Sequence, residues 1–252
     1  MQVVSDIHFE NRSRPFSIQP LAPYLACCGD IGNMNSPASY SAFLNECSPR
    51  WKHIFLVMGN HEYYGSRMAK AEANMQAMAA KYTNVTYLEK GCFDIPDTDY
   101  RIAGTTLWTK VPSIFVDDIS WAICDYRYIK VNADNRVRKL LVYDTNRYHD
   151  ESVTWIQAEM QRATADKKRL ILLTHHAPIT GCQAPKYKGV LNSAFQTDLT
   201  AWIGSPLVAW FYGHTHYSLS RICNGVTVQT NAVGYEDESN TKYDPNMVFN
   251  LK

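Results

Sequence analysis

The sequence has no long uninterrupted hydrophobic run and no surplus of either charge. Its apolar stretches are cut by Gly, Ser or Pro well short of the roughly 20 residues that a membrane-spanning helix requires. The opening residues, MQVVSDIHFE, contain neither a basic leader nor a long apolar segment. Twenty-five basic residues stand against twenty-four acidic ones, a net charge of +1. We therefore expect a cytoplasmic protein without a membrane partner, and the charge balance does not indicate a nucleic-acid partner.

Paired cysteine motifs are also absent. The seven cysteines are odd in number, include the adjacent pair Cys27 and Cys28, and show no C-x-x-C spacing. Neither a disulfide framework nor a thiolate zinc site is indicated, and a reducing compartment fits best. The G-x-S-x-G, P-loop and Gly-rich dinucleotide motifs are missing too. Serine nucleophiles and the common nucleotide-binding loops are thus not indicated.

Short aliphatic runs alternate with amphipathic segments. The runs predict buried strands at 2–5, 25–28, 53–58, 169–174 and 207–212, and further strands at 85–89, 100–108, 218–223 and 226–231. Apolar residues at helical spacing predict helices over 68–82 and 153–163, with Ser66 and Asp150 as N-caps, and another helix opening at Ser36 and Pro37. This alternation predicts a layered α/β fold built on a mixed sheet or on two sheets.

The chain is expected to form one domain over residues 1–252. Its 46% hydrophobic content is sufficient for a sizeable core, and no linker or repeat divides it. The stretches from about 110 to 149 and from about 177 to 194 have weak periodicity and many turn-forming residues. Long loops within a domain are often functional, so we predict lid-like loops at these two places.

Polar residues that can bind metals follow five of the predicted strands. They occur in SDIH, CGD, MGNHE, LTHH and YGHTH, which supply Asp6 and His8, Asp30, Asn60 and His61, His175 and His176, and His214 and His216. In an extended chain, residues i and i+2 project to the same side, so each D-x-H or H-x-H pair can converge on one point. Taken singly, each motif is more often a turn cap or a hydrogen-bonded core group. Together they indicate a metal site.

The donors also restrict the metal. Asp, Asn and His offer oxygen and nitrogen but no thiolate, a set that suits Mn, Fe, Zn, Co or Ni. There are too many candidate ligands for one ion, and hydrolysis assisted by metal is the chemistry that the motifs favour.

In order, these segments read D-x-H, G-D, G-N-H-E, H and G-H-x-H over residues 6–216. The sequence thereby resembles the calcineurin-like metallophosphoesterases, with no motif missing. The resemblance implies an α/β fold of two facing mixed β-sheets flanked by helices, a four-layer sandwich, with a two-metal site at the strand ends. It implies that Asp6, His8, Asp30 and His216 hold one metal and that Asp30, Asn60, His175 and His214 hold the other. Manganese is the favoured ion, with Fe, Zn, Ni or Co as alternatives. The family pattern points to His175 over His176, but the sequence leaves this choice open.

The activity implied is hydrolysis of a small phosphomonoester or phosphodiester, with a nucleotide or cyclic nucleotide among the candidates. Two ions about 3.5–4 Å apart would lower the pKa of a bridging water, and the resulting hydroxide would attack phosphorus. His61 is the motif histidine left off the metals, so it is predicted to act beside Asp30 as a general acid or charge stabiliser, oriented by Glu62. A surface-loop histidine is the alternative. A protein serine/threonine phosphatase and a non-catalytic metal-binding scaffold are the other functions considered, and the oligomeric state is not indicated.

Four residues are candidates for substrate binding: Arg127, His149, His176 and Tyr187. Arginine is a natural phosphate partner, but an ion pair of Arg127 with Asp125 on a surface turn is the favoured alternative. His149 is predicted just before a helix start, where free amides could bind phosphate, or else simply packs. Tyr187 lies between two lysines in APKYKG, either a flexible clamp or a solvated loop.

Overall fold

The computed structural model describes residues 1–133, 135–185, 189–238 and 241–251. The strands within these ranges are Gln2–Val4 (β1), Tyr24–Cys28 (β2), His53–Val57 (β3), Val85–Tyr87 (β4), Gly91–Asp94 (β5), Tyr100–Thr105 (β6), Lys130–Ala133 (β7), Arg136–Lys139 (β8), Arg169–Thr174 (β9), Leu207–Tyr212 (β10), Ser220–Cys223 (β11) and Val226–Thr230 (β12). The α-helices are Ala38–Cys47 (α1), Met68–Ala79 (α2), Val116–Ala122 (α3), Asp125–Tyr128 (α4) and Val142–Ala165 (α5). All nine predicted strands are present.

Two large sheets carry most of the strands. The first has the order β1-β2-β3-β4 with parallel pairs, and an antiparallel bridge joins Gln2 to Val248 at its edge. The second has the order β11-β12-β10-β9-β6-β5, with parallel pairs in its centre and an antiparallel strand at each side. Strands β7 and β8 form a separate hairpin.

The sheets face each other between layers of helices. Val3, Phe55 and Val57 of the first sheet share one buried cluster with Ile171 and Phe211 of the second. The opposite face of the first sheet packs on α1 and α2, and the opposite face of the second packs on α5. Because alternate residues of a strand point to opposite faces, the nearly continuous apolar runs of β2, β3, β9 and β10 fit strands that are covered on both sides. The predicted four-layer α/β fold is confirmed.

The predicted N-caps of two helices are wrong. Helix α5 begins at Val142, so Asp150 lies inside it, and the side chain of Asp144 accepts a hydrogen bond from the Leu141 N–H at 2.9 Å. The first three turns bury polar residues such as Thr145 and Ser152, which hides the apolar periodicity. Helix α2 begins at Met68, and Arg67 occupies the position assigned to Ser66.

The prediction of a loop over 110–149 is also wrong. The segment folds into a short 3-10 helix at Ser113–Phe115, helices α3 and α4, the β7–β8 hairpin and the start of α5. These elements are short and leave large apolar side chains exposed, including Ile114 and Trp121, so they lack a clear period. Over the described part of 177–194 the chain is irregular apart from a 3-10 helix at Val190–Ala194.

No helix within the described ranges combines the length and hydropathy needed to cross a bilayer.

Candidate metal centre

The candidate ligands follow the carboxyl ends of strands from both sheets. Parallel strands end at a common edge, which brings residues after β1, β2 and β3 toward those after β9 and β10. Asp6, His8, Asp30, His214 and His216 all have left-handed backbone, with φ of 56°, 55°, 54°, 70° and 47°. The predicted convergence is therefore present, but its reason differs: the paired residues lie in sharp turns past the strand ends, not in extended chain. Such conformations cost about 1 kcal/mol or more each and cluster at functional sites.

Asp6, His8 and His216 form the first group of converging donors, here named site A. His8 Nε2 lies 3.0 Å from His216 Nε2, and His216 Nε2 lies 3.5 Å from Asp6 Oδ1. Asp6 and His8 are fully buried. These atoms converge from turns that are more than 200 residues apart in sequence, so the D-x-H and H-x-H motifs build one site together.

Asp30, Asn60, His175 and His214 form the second group, named site B. His175 Nε2 lies 3.0 Å from Asn60 Oδ1, 3.2 Å from His214 Nδ1 and 3.4 Å from Asp30 Oδ2. The same Asp30 oxygen lies 3.7 Å from His8 Nε2 of site A. Asp30 is thus the carboxylate located between the two sites.

These donors fit divalent cations. Ligand atoms about 2.1 Å from an ion and at right angles to each other are about 3 Å apart, which matches the separations within both sites. Three of the imidazoles are also oriented by an acceptor at Nδ1, since His8 contacts Glu10 Oε1, His175 contacts the Cys28 carbonyl and His216 contacts Glu238 Oε2. A proton held at Nδ1 leaves Nε2 of each ring directed at the donor cluster, as metal-binding histidines require.

Charge is distributed to favour cation binding. Burial opposes ionisation of Asp30, but the facing imidazoles of His175 and His61 hold its pKa well below the usual range. Burial alone would lower the pKa of His175, yet the Asp30 carboxylate raises it to about 9. The carboxylate is therefore ionised at neutral pH, and cation binding at site B must displace a proton from His175.

Glycines leave room for this arrangement. Gly29 has φ of 85°, and a Cβ there would lie 2.7 Å from the Gly59 nitrogen and overlap the His175 ring. A Cβ on Gly59 would overlap the Asp30 carboxylate. Side chains at either position would displace donors of site B.

Residues 3–218 match the family model described as calcineurin-like phosphoesterase. The chain belongs to the calcineurin-like phosphoesterase family. Membership implies metal-dependent hydrolysis of phosphoesters, and the donors of sites A and B agree with the divalent metal ions that the family uses.

The chain is also similar to individual proteins. Protein L509 of Acanthamoeba polyphaga mimivirus is 34% identical over 230 residues, which cover 86% of this chain and 80% of that protein. The phosphopantetheinyl hydrolase of Mycobacterium tuberculosis has a similar structure, with a TM-score of 0.72 and 16% identity over 98% of this chain and 97% of that one. A dimetal phosphatase from Danio rerio matches with a TM-score of 0.50 and 15% identity, over 83% of this chain and 72% of that one. The two solved structures share the phosphoesterase fold.

The choice between the adjacent histidines is clear from the geometry. His175 lies in site B, whereas His176 Nδ1 contacts the Thr106 carbonyl at 3.2 Å. Burial, with the neighbouring His175, lowers the pKa of His176 to about 3. His176 packs against the ring of His214 and so helps to hold that candidate ligand in place.

Glu10 is a site residue that the sequence reasoning missed. Its Oε1 lies 3.1 Å from His8 Nδ1 and 2.9 Å from His61 Nδ1. A carboxylate only accepts hydrogen bonds, so both rings donate from Nδ1 to the same oxygen. The ring of His61 is also stacked on Tyr64, and its Nε2 lies 3.3 Å from the Tyr235 hydroxyl. The available signal was the i, i+2 spacing of Glu10 and His8.

The predicted partner of His61 is wrong. Glu62 does not contact the His61 ring; its fully buried carboxylate accepts hydrogen bonds from the backbone N–H groups of Asp30, Ile31 and Gly59. Burial, together with Asp30, raises the pKa of Glu62 to about 8. Through these hydrogen bonds Glu62 links the turn at Asp30 to the turn at Gly59. Burial would lower the pKa of His61, but Asp30 and Glu10 raise it.

Asp125 is a second residue that the sequence reasoning misplaced. It is buried and accepts hydrogen bonds from Asn60 Nδ2 at 2.8 Å and from the Tyr64 hydroxyl at 2.7 Å. Holding the amide nitrogen of Asn60 leaves its Oδ1 facing site B. The expected ion pair with Arg127 is absent: Arg127 donates to the Trp121 carbonyl at 2.6 Å and to Cys124 Sγ at 3.0 Å.

The other two substrate-binding candidates that the structure describes, Arg127 and His149, are not among the donors of site A or site B. Arg127 is exposed on α4 and takes no part in lining the cavity at the metal centre. His149 lies inside α5, not before it, and its ring is buried against the Trp108 carbonyl, 3.3 Å from Nδ1. Packing is therefore the interpretation that holds for His149. Tyr187 lies outside the described residues.

Proposed function

We propose that the protein is a binuclear metal-dependent phosphoesterase that hydrolyses a small phosphomonoester or phosphodiester. The observation that carries the proposal is the position of Asp30, whose Oδ2 lies 3.7 Å from a nitrogen of site A and 3.4 Å from a nitrogen of site B. One carboxylate placed between two sets of donors suits a pair of ions that share a ligand. Manganese is the favoured ion, and Fe, Zn, Ni and Co fit the same donors.

The metals, when bound, would supply a water of lowered pKa as the nucleophile and would polarise the phosphoryl oxygens. Asp6, His8, Asp30 and His216 would hold one ion, and Asp30, Asn60, His175 and His214 the other. His61 lines the same cavity without belonging to either site, so it can reach the phosphate or the departing oxygen. We assign His61 to protonation of the leaving group or stabilisation of its charge, with Glu10 fixing the orientation of the ring.

The proposal is tested by removing and restoring the metal. The full chain is treated with chelator, desalted and assayed on mono- and bis-4-nitrophenyl phosphate before and after addition of Mn²⁺. Activity should disappear with the metal and return with Mn²⁺, and the two esters separate monoesterase from diesterase activity. Nucleotides, cyclic nucleotides and a phosphopantetheinyl ester, included because of the Mycobacterium tuberculosis hydrolase, complete the panel. Activity that is indifferent to chelation would contradict the proposal.

A further inference from the structure

The metal centre opens into one cavity of about 710 Å³. Asp30, Asn60, His61, His214 and His216 contribute to its lining, so a phosphate at the centre would lie within this space. The volume falls within the range of roughly 300–1,000 Å³ that is usual for small-molecule sites. The part of the cavity beyond the phosphate must therefore accommodate the rest of the substrate.

That part of the lining is largely apolar. It includes Ala122 and Ile123 at the end of α3, Tyr128 at the end of α4, and Leu191 and Phe195 in and just after the 3-10 helix at Val190–Ala194, with uncharged polar residues such as Gln183 and Asn192 among them. The Phe195 ring stacks on His214, with centroids 4.6 Å apart and planes 23° apart. The apolar surface is thus continuous with site B, and Leu191 and Tyr128 remain 41% and 53% exposed.

The charged groups of the lining are unsuited to a second phosphate. Among the lining residues that the structure describes there is no Lys or Arg, whereas Glu10, Asp125 and Glu238 are present. Each of these carboxylates already accepts a hydrogen bond, from His61, Asn60 and His216 respectively. Among these described residues, a second anionic group would be desolvated next to carboxylates and would meet no compensating cation.

We infer that the substrate is an ester of a single phosphate with an uncharged, largely apolar group, of the size of one or two aromatic rings. This inference rests on the proposed function and narrows its substrate class. Phosphate would be bound at the metal centre, and the organic group would cover Ile123, Tyr128, Leu191 and Phe195. Nucleoside triphosphates and other polyanions would be disfavoured.

The first test measures binding without turnover. The Mn²⁺-loaded chain is titrated calorimetrically with 1-naphthylmethylphosphonate, with methylphosphonate and with a nucleoside triphosphate. The naphthyl compound should bind at least about tenfold more tightly than methylphosphonate, because its rings bury apolar surface against Ile123, Tyr128, Leu191 and Phe195. Equal affinity for the two phosphonates, or tighter binding of the triphosphate, would overturn the inference.

Two variants test whether the apolar lining of the cavity causes the preference for the naphthyl group. Leu191→Asp should abolish the difference between the phosphonates, and it should remove the preference in kcat/KM for 2-naphthyl phosphate over phenyl phosphate. Ile222→Asp, a matched change at an exposed side chain of β11 outside the cavity, should leave both ratios unchanged. A Leu191→Asp variant that is folded, metal-loaded and still selective would contradict the inference.

The two hypotheses fail differently in this experiment. Hydrolysis of both aryl phosphates without a naphthyl preference would overturn the substrate class and leave the phosphoesterase assignment standing. Selective binding of the naphthyl phosphonate with no hydrolysis of any ester would support binding of an apolar group in the cavity and contradict the proposed function.

Discussion

His8 combines a buried side chain with left-handed backbone at φ of 55°. An L residue is strained in this region and glycine is not. We therefore expect His8→Gly to be more stable than His8→Ala by about 1 kcal/mol in the free energy of unfolding. Urea unfolding of the chelated variants measures the difference without a contribution from bound metal.

The matched control is the same pair of changes at His176, which is equally buried but is not among the residues with positive φ. There the order should reverse, because glycine loses more backbone freedom on folding. If Ala were the more stable substitution at both positions, the strain assigned to the turn of His8 would be refuted.

Glu10 and His61 form the second residue-scale prediction. His61→Ala should retain both metals and lose about 10²–10⁴-fold in turnover, the usual contribution of a positioned proton donor. The loss should be larger on phenyl phosphate than on 4-nitrophenyl phosphate, because the poorer leaving group depends more on protonation. Glu10→Gln should give a smaller loss with the same leaving-group trend. Metal analysis and steady-state kinetics on both esters provide the measurement, and unchanged turnover in His61→Ala would remove this residue from the mechanism.

The sequence identified residues that belong to contiguous motifs and missed those that act on them from elsewhere. Asp6, His8, Asp30, Asn60, His175, His214 and His216 each lie in a short pattern, and the structure brings all seven together. Asp125 orients Asn60 from 65 positions away, and Glu238 contacts His216 from 22 positions away. Neither lies in a motif, so only the three-dimensional fold connects them to the site.

At the scale of elements, helix α5 begins with a polar cluster in place of an apolar one. Asp144 accepts the Leu141 N–H and makes two hydrogen bonds with Arg138, at 2.6 and 2.9 Å. Burial opposes its ionisation, but Arg138 and the backbone N–H outweigh burial and lower its pKa. Buried strands are recognisable from continuous apolar runs, whereas this helix start is stabilised by hydrogen bonds that leave no apolar period.

Asp144→Ala should therefore lower the free energy of unfolding by about 2 kcal/mol at pH 7. Because the pKa is lower in the folded state, the stabilisation is complete above the ordinary pKa of about 3.9 and is lost as the pH falls through the folded value. The difference between variant and parent should accordingly shrink below about pH 4. Chemical unfolding at a series of pH values checks both statements.

Asp150→Ala is the control within the same helix. Asp150 is exposed, lies in the helix interior and forms a salt bridge with the exposed Lys110, so its removal should change stability by less than about 0.5 kcal/mol. A cost at Asp150 equal to that at Asp144 would contradict the observed helix start.

At the scale of the whole molecule, the two sheets are joined at the metal centre as well as through their shared core. Site A takes donors from turns after β1 and β10, and site B takes donors from turns after β2, β3, β9 and β10, so each site includes ligands from both sheets. A cation bound at either site therefore holds the two sheets together. Binding to the folded chain alone should stabilise the entire fold.

Free Mn²⁺ at 100 times its dissociation constant should add about 2.7 kcal/mol per site, equivalent to a rise in Tm of roughly 5–10 °C. Asp30→Asn removes the carboxylate placed between the sites, so it should abolish most of this rise and lower the bound metal from two ions per chain. Asp97→Asn makes the same chemical change at another left-handed residue, far from the centre, and should keep the full rise. Thermal unfolding with and without Mn²⁺, together with metal analysis, tests the dependence of both sites on Asp30. Two ions at full occupancy in Asp30→Asn would mean that the sites do not depend on a shared carboxylate.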